Sequence, residues 1–175
     1  MKVFVTGANG FLGSHLVDRL IKRKDEVHVL VRRSSNLRWL QGKEVQLHYG
    51  DVVGDDSRAL TEGIRGSEVV FHLAGIIRAR NPKDYYDVNV QGTTHLLEAC
   101  LQSKNTNLKR VVVVTSIAAH GPNLGHQMAR EEDECHPLTD YGKSKREAEE
   151  VTLRHVNHLP VTIVRPPAIY GPRDE

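Results

Sequence analysis

The sequence has few of the features that mark disulfide-rich, zinc-binding or nucleic-acid-binding proteins. It holds only two cysteines, Cys100 and Cys135, which lie far apart and form no Cys-x-x-Cys pair. This spacing predicts neither a disulfide framework nor a zinc site, and we expect no bound metal. The formal net charge of +2 is too small to indicate a nucleic-acid or anionic-membrane partner.

The sequence also lacks any apolar run long enough to span a bilayer, so we expect no membrane partner. It begins directly with a strand-like segment, without the basic, apolar and small-residue order of a signal peptide. We therefore expect a cytoplasmic protein. Its 175 residues are 39% hydrophobic and 26% charged, which predicts one domain, residues 1–175, with a substantial core.

Short β-branched segments alternate with longer amphipathic ones along the chain. The predicted strands are Lys2–Thr6, Glu26–Val31, Val45–Tyr49, Val69–Leu73, Arg110–Thr115 and Val161–Arg165, and the predicted helices are Phe11–Arg23, Asp55–Arg65, Asp84–Ser103 and Thr139–His155. The continuous apolar run Val111–Val114 is typical of a parallel strand covered by helices on both faces. The alternation predicts an α/β fold with a doubly wound parallel sheet.

Side-chain spacing indicates which faces of two helices meet the core. In the first helix, Leu12, Leu16 and Leu20 recur at intervals of four residues and form the predicted apolar stripe. In the last helix, Tyr141, Lys145 and Ala148 share one side, and we expect its many charged residues on the opposite side.

A glycine-rich segment joins the first strand to the first helix. Gly7, Gly10 and Gly13 stand where the chain must turn sharply, and their missing Cβ atoms let the backbone approach a pyrophosphate. The N-terminal end of a helix also favours a negative charge. A glycine turn without a ligand is the alternative, but its position between strand and helix favours phosphate binding.

This turn and six further motifs resemble the extended short-chain dehydrogenase/reductase family, which includes NAD-dependent epimerases and dehydratases. The motifs occur in family order and span nearly the whole chain: Thr6–Gly13, Gly50–Val52, His72–Gly75, Val88–Thr93, Thr115–Ser116, Tyr141–Lys145 and Arg165–Pro172. The resemblance implies a Rossmann fold that binds NAD or NADP. It also implies hydride transfer at a carbinol or carbonyl carbon of a small-molecule substrate, such as a nucleotide sugar.

Tyr141, Lys145 and Ser116 are the predicted catalytic residues. Tyr141 and Lys145 are four residues apart and share a helix face, so the ammonium favours the phenolate form of the tyrosine. Ser116 follows the fifth strand at the carboxyl edge, where its hydroxyl can donate to a substrate oxygen; Thr115 is the alternative if the register differs by one. The resemblance implies a fourth participant, Asn89, which would order water and backbone near Lys145. Alternatively, Asn89 marks a structural kink in its helix.

The resemblance also implies a set of cofactor contacts. Asp51 would accept from the adenine amino group, although an aspartate there also suits a simple turn. Pro167 and Ala168 would contact the nicotinamide end, and Lys145 its ribose. The full predicted set is Gly7, Gly10, Phe11, Leu12, Gly13, Arg32, Arg33, Asp51, Val52, Leu73, Ala74, Gly75, Asn89, Tyr141, Lys145, Pro167 and Ala168.

The end of the second strand favours NADP over NAD. NAD-preferring relatives carry an acidic residue there for the ribose 2′-hydroxyl, whereas this chain has Val31 followed by Arg32 and Arg33. Two guanidinium groups suit a 2′-phosphate. Two solvated arginines at a strand end are the alternative.

Departures from the family pattern narrow the function. The segment after Ser116, Ile117–Gly121, lacks the Asp-Glu pair of sugar-nucleotide 4,6-dehydratases, which disfavours that activity. His120 fits a substrate-pocket residue and a packed loop residue equally well. Family members continue into a C-terminal substrate-binding region, so we expect that region to be absent here. We also expect this chain to bind nucleotide but turn over poorly.

Three functions stay open at this point. An epimerase retains its cofactor, whereas an NADPH-dependent carbonyl reductase, or an enzyme like a hydroxysteroid dehydrogenase, exchanges it each cycle. A non-catalytic dinucleotide-binding module ranks lower, because such relatives usually lose the tyrosine or the lysine. The resemblance further implies a homodimer through the helices Asp84–Ser103 and Thr139–His155.

Overall fold

The computed structural model of the protein describes residues 1–54, 57–122 and 128–174. Six parallel strands form one sheet in the order β3-β2-β1-β4-β5-β6. The strands are β1 (Lys2–Thr6), β2 (Glu26–Val31), β3 (Val45–Tyr49), β4 (Val69–His72), β5 (Arg110–Val114) and β6 (Val161–Val164). The order reverses between β1 and β4, and ligands bind at the carboxyl ends of strands at such a switch point. The predicted doubly wound parallel sheet is confirmed.

Helices cover both faces of the sheet. They are α1 (Phe11–Lys22), α2 (Arg58–Ile64), α3 (Pro82–Tyr85), α4 (Gly92–Gln102) and α5 (Asp140–Leu153). Val17 and Leu20 of α1 pack against one face, on buried residues of β1 and β2. Helices α2, α4 and α5 pack against the other face, on buried residues of β1, β4 and β5. Among the described residues, no helix is both long and apolar enough to cross a membrane.

Two predicted apolar faces differ from the structure. In α1 the fully buried residues are Gly13, Ser14, Val17 and Leu20, while Leu12 and Leu16 are only half-buried. The helix approaches the sheet through Gly13, so the buried face is rotated toward the small residues. In β5, Val111 and Val113 are buried but Val112 and Val114 are half-buried, because α1 lies over β1 and β2. Complete cover of β5 on both faces was therefore a wrong expectation.

The predicted helix Asp84–Ser103 consists of three segments. A capping box at Asn81 and Asp84 starts α3, a π-helical turn follows over Tyr86–Gln91, and α4 continues from it. The wider turn buries Asn89 and Val90. π-Helical turns inside helices are frequent at functional sites. The helix predicted over Asp55–Arg65 is shorter, and Asp55 and Asp56 lie outside the described residues.

Candidate active site

The glycine turn leaves no room for a side chain at Gly7 or Gly13. Gly7 has φ +72°, and a Cβ there would lie 2.6 Å from the amide nitrogen of Ala74. A Cβ on Gly13 would lie 2.1 Å from the carbonyl oxygen of Gly7. Gly10 precedes α1, whose first turn has neither a capping side chain nor an acidic residue. The backbone N–H groups at the start of α1 can therefore donate hydrogen bonds to an anionic group.

A cleft of about 290 Å³ opens beside this turn, across the carboxyl ends of the first four strands. Eight of the predicted cofactor contacts line it: Gly7, Gly10, Arg32, Asp51, Val52, Leu73, Ala74 and Gly75. The other nine lie outside its described lining: Phe11, Leu12, Gly13, Arg33, Asn89, Tyr141, Lys145, Pro167 and Ala168. Gly13 acts instead in the packing of α1, and Pro167 and Ala168 are exposed beyond β6.

The two arginines after β2 have different surroundings. The guanidinium of Arg33 lies 5.3 Å from the ring centroid of Tyr49, and Arg33 is not among the described residues that line the cleft. Arg32 lines the cleft together with Ser35, whose hydroxyl accepts a hydrogen bond from the Arg32 amide at 3.2 Å. The structure therefore places one of the two arginines, Arg32, in the described lining of the cleft.

Asp51 serves a turn and also lines the cleft. Its Oδ1 accepts a hydrogen bond from the amide of Val53 at 3.1 Å, which is the local role that the sequence left open. The carbonyl oxygen of the next residue, Val52, lies 2.7 Å from Nδ1 of His95. Both residues stand at the end of the cleft nearest β3.

Lys145 and Asn89 meet at the end of β4. A Cβ on Gly75 would lie 2.9 Å from both the Lys145 Nζ and the Asn89 Oδ1. The Lys145 ammonium donates to the carbonyl of Val114 at 3.3 Å, and Asn89 Oδ1 accepts from the amide of Ile76 at 2.9 Å. Burial lowers the pKa of Lys145 to about 8, although the nearby charge of Glu149 raises it.

Ser116 and Tyr141 stand at the same edge of the sheet. The Ser116 hydroxyl accepts from the amide of Ala118 at 3.1 Å and caps a short 3₁₀ turn. A Cβ on Gly142 would lie 2.5 Å from the Ala118 carbonyl oxygen, so the first turn of α5 packs directly on this segment. Tyr141 is half-buried, with its ring centroid 6.0 Å from that of Tyr85.

Thr115 and His120 are both engaged in local packing. The Thr115 hydroxyl donates to Glu149 Oε1 at 2.7 Å inside the core, so Ser116 is the residue whose side chain stands at the open edge. His120 is buried, and its Nδ1 lies 3.0 Å from the carbonyl oxygen of Gly121. Burial suits the packed loop residue, but His120 also lines a pocket beside Ile117, and its Nε2 has no hydrogen-bond partner among the described residues, so both alternatives for His120 stay open.

A buried histidine that the sequence did not single out joins the glycine turn to Asn89. Thr93 donates its hydroxyl proton to the Asn89 carbonyl at 2.6 Å, so it accepts from His72 Nε2 at 3.1 Å. His72 Nδ1 is then unprotonated and accepts from the Thr6 hydroxyl at 2.7 Å. Complete burial, together with the charge of Lys145, lowers the pKa of His72 to about 3.

A buried carboxylate is the second residue missed by the sequence. Glu149 is fully buried, although we expected it among the surface charges of α5. It accepts from Arg165 at 2.6 and 2.8 Å, besides the bond from Thr115. The sequence did carry a signal for Glu149, because Tyr141, Lys145 and Glu149 recur at intervals of four and share one helix face.

Among the described residues, no group of three or more histidine, cysteine or acidic side chains could hold a metal.

Comparisons with known proteins place this site in context. A model of the NAD dependent epimerase/dehydratase family matches residues 3–175. Sterol demethylase protein B of Methylococcus capsulatus is 36% identical over 181 residues, which cover 99% of this chain and 53% of that protein. Ceramide reductase of Caulobacter vibrioides is 36% identical over 172 residues, which cover 98% of this chain and 47% of that protein.

The fold has close counterparts among solved structures. The crystal structure of UDP-glucuronic acid 4-epimerase from Bacillus cereus in complex with NAD superposes with a TM-score of 0.84 and 28% identity. The match covers 99% of this chain and 58% of that one. The chain spans about half the length of the curated relatives it matches.

Proposed function

The chain belongs to the NAD-dependent epimerase/dehydratase family, and we propose that it supplies the nucleotide-binding and proton-transfer groups of an enzyme that moves hydride to or from a carbinol or carbonyl carbon. One observation carries the proposal. The buried Lys145 ammonium lies beside Gly75 and one helical turn from Tyr141, at the sheet edge that also holds the cleft.

The cleft fits a nicotinamide dinucleotide. A Cβ on Gly7 would collide with the backbone of Ala74, and the uncapped start of α1 offers N–H groups to a pyrophosphate. Asp51 and Val52 would meet the adenine, and Lys145 the nicotinamide ribose. When bound, the nicotinamide ring supplies the hydride acceptor or donor.

The residues of the chain divide the remaining chemistry. Tyr141 gives a proton to the substrate oxygen during reduction and takes it back during oxidation. Ser116 donates a hydrogen bond to the same oxygen as charge develops there. The positive charge of Lys145 stabilises the negative charge that develops on the Tyr141 oxygen as it gives up its proton. Asn89 holds the backbone at Ile76 and, through Ser144, the helix that carries Lys145.

Replacement of Tyr141 by Phe tests this proposal. In the longest natural form of the protein, we expect kcat to fall at least about a hundredfold while the cofactor Kd stays unchanged, because only the proton donor is lost. Tyr85→Phe is the matched control, since its ring neighbours Tyr141 but its hydroxyl binds backbone groups of Ile77 and Ala79. Full turnover by Tyr141→Phe would remove the tyrosine from the mechanism.

For the cofactor we propose a preference for NADP. Arg32 and Ser35 line the cleft after Val31, where a 2′-phosphate would meet a guanidinium and a hydroxyl. The alternative is NAD, because the matching family is NAD-dependent and the solved relative holds NAD. Tighter binding of NAD than of NADP would overturn the proposed preference.

A second candidate concerns the substrate. A nucleotide sugar suits the epimerase function, but apolar side chains rim the reacting edge. Ile77 after β4 is 70% exposed, Ile117 next to Ser116 is 44% exposed, and Leu138 before α5 is 72% exposed. These side chains, and relatives named for sterol and ceramide chemistry, favour an enzyme that reduces an apolar ketone or oxidises the corresponding alcohol. A nucleotide retained through purification would favour the epimerase, and free exchange of NADPH the reductase.

A homodimer through α4 and α5 stays a proposal. Leu101 at the end of α4 and Leu153 at the end of α5 are 41% and 48% exposed. A monomeric molar mass by light scattering would contradict it.

A cytoplasmic location also stays a prediction, which cell fractionation would test.

A further inference from the structure

Glu149 is a fully buried carboxylate that the proton-transfer scheme does not use. It stands on α5, one turn beyond Lys145 and two turns beyond Tyr141. Arg165 binds both of its oxygens, at 2.8 and 2.6 Å, and Arg146 lies 3.4 Å from one of them. A buried carboxylate is strongly disfavoured unless it is paired and hydrogen-bonded, and Glu149 is both.

The contacts of Glu149 join three chain segments at the reacting edge. Thr115, at the end of β5, donates to Glu149 Oε1 at 2.7 Å, and its amide donates to the carbonyl of Val164 at 2.8 Å. The next residue is Ser116, whose extended backbone (φ −167°, ψ 152°) continues directly from Thr115. Arg165 is the residue after β6. The Glu149 carboxylate is therefore hydrogen-bonded to the residue that immediately precedes Ser116.

Glu149 is also the charge that opposes the effect of burial on Lys145. Burial lowers the pKa of Lys145 to about 8, and Glu149 raises it. Among the described residues, the other titratable groups near Lys145 include His72 of β4 and Tyr141, one turn earlier on α5. On the far side, Arg146 and Arg165 face Glu149, and the Arg165 guanidinium contacts the Cys135 thiol at 3.4 Å.

We infer that Glu149 is a positioning residue with two separable tasks. Its hydrogen bond from Thr115 fixes the backbone that presents Ser116, and its negative charge, one turn along α5, holds Lys145 in the ammonium form. This inference rests on the proposed function of Ser116, Tyr141 and Lys145. It adds Glu149, Thr115 and Arg165 as a buried support behind the reacting groups.

The two tasks separate in substitutions made in the longest natural form of the protein. Thr115→Val removes the hydroxyl but keeps the charge, so we expect kcat to fall about tenfold with the cofactor Kd and the pH profile unchanged. Thr115→Ser keeps the hydroxyl and is the matched control with near-normal kcat. Glu149→Gln removes the charge, so the high-pH limb of kcat/KM for carbonyl reduction should move down by about one pH unit.

A double variant covers the case in which Glu149→Gln does not fold. Glu149→Gln with Arg165→Gln removes both charges of the pair, so we expect a downward movement of the high-pH limb that is smaller than in Glu149→Gln, because the loss of the Arg165 cation partly offsets it. The inference is overturned if the folded variants keep the original limb, or if Thr115→Val matches Thr115→Ser. Tyr141→Phe, measured in the same assay, separates the two proposals. If either overturning result is found while Tyr141→Phe is inactive, the inference about Glu149 fails and the proposed function stands. If Tyr141→Phe is fully active, both fail.

Discussion

The buried His72 predicts a specific dependence of stability on pH. In the folded protein, its neutral ring bridges Thr6 and Thr93, and burial lowers its pKa to about 3. Unfolding restores a pKa near 6.5, so the unfolded chain takes up a proton between about pH 3 and pH 6.5. The stabilising contribution is fully present above pH 6.5 and is lost progressively as the pH falls toward 3.

The size of the effect follows from the two pKa values. Each pH unit inside this window changes the free energy of unfolding by up to about 1.4 kcal/mol. Between pH 7.5 and pH 5, His72 alone should therefore remove about 2 kcal/mol. This is a large share of the roughly 5–15 kcal/mol that is typical of a domain.

Urea unfolding at pH 7.5 and pH 5 measures this loss in the wild type and in His72→Gln. The glutamine amide can donate and accept but does not titrate, so the loss in the variant should be smaller by about 2 kcal/mol. His158→Gln replaces a solvent-exposed histidine and is the control, which should follow the wild type. Equal losses in the wild type and His72→Gln would refute the assignment of a neutral, buried His72.

Two further predictions concern the cleft. Gly13→Ala places a Cβ 2.1 Å from the Gly7 carbonyl oxygen, so it should lower the free energy of unfolding by at least about 2 kcal/mol and weaken nucleotide binding. Gly42→Ala, strained only by its φ of +73° in open space, should cost about 1 kcal/mol and leave nucleotide binding unchanged, as denaturation and fluorescence titration would show. Arg32→Ala should weaken NADP binding about tenfold in calorimetry, and Arg33→Ala should not. Equal effects of the two arginine variants would contradict the cleft assignment.

The fold, the glycine turn and the shared helix face of Tyr141 and Lys145 could be predicted from the sequence, because each depends on a local pattern of residues. The glycine spacing at 7, 10 and 13 indicates a tight turn in which the start of the helix packs directly on the backbone of Gly7. The interval of four between Tyr141 and Lys145 places both side chains on one helix face whatever that helix packs against. The alternation of strands and helices likewise restricts the sheet to parallel crossovers.

Only the tertiary structure decided which polar side chains are buried and what they contact. The interval of four places Glu149 on the helix face of Lys145, but its partners are set by the tertiary structure, because Thr115 and Arg165 reach it from the ends of β5 and β6. The sequence offered Arg32 and Arg33 equally as cofactor contacts. In the structure Arg32 lines the cleft, whereas the Arg33 guanidinium lies over the ring of Tyr49 on the neighbouring strand. Hydrogen bonds and charges act over a few ångströms in space, and their partners here are far apart along the chain, so sequence spacing could not reveal them.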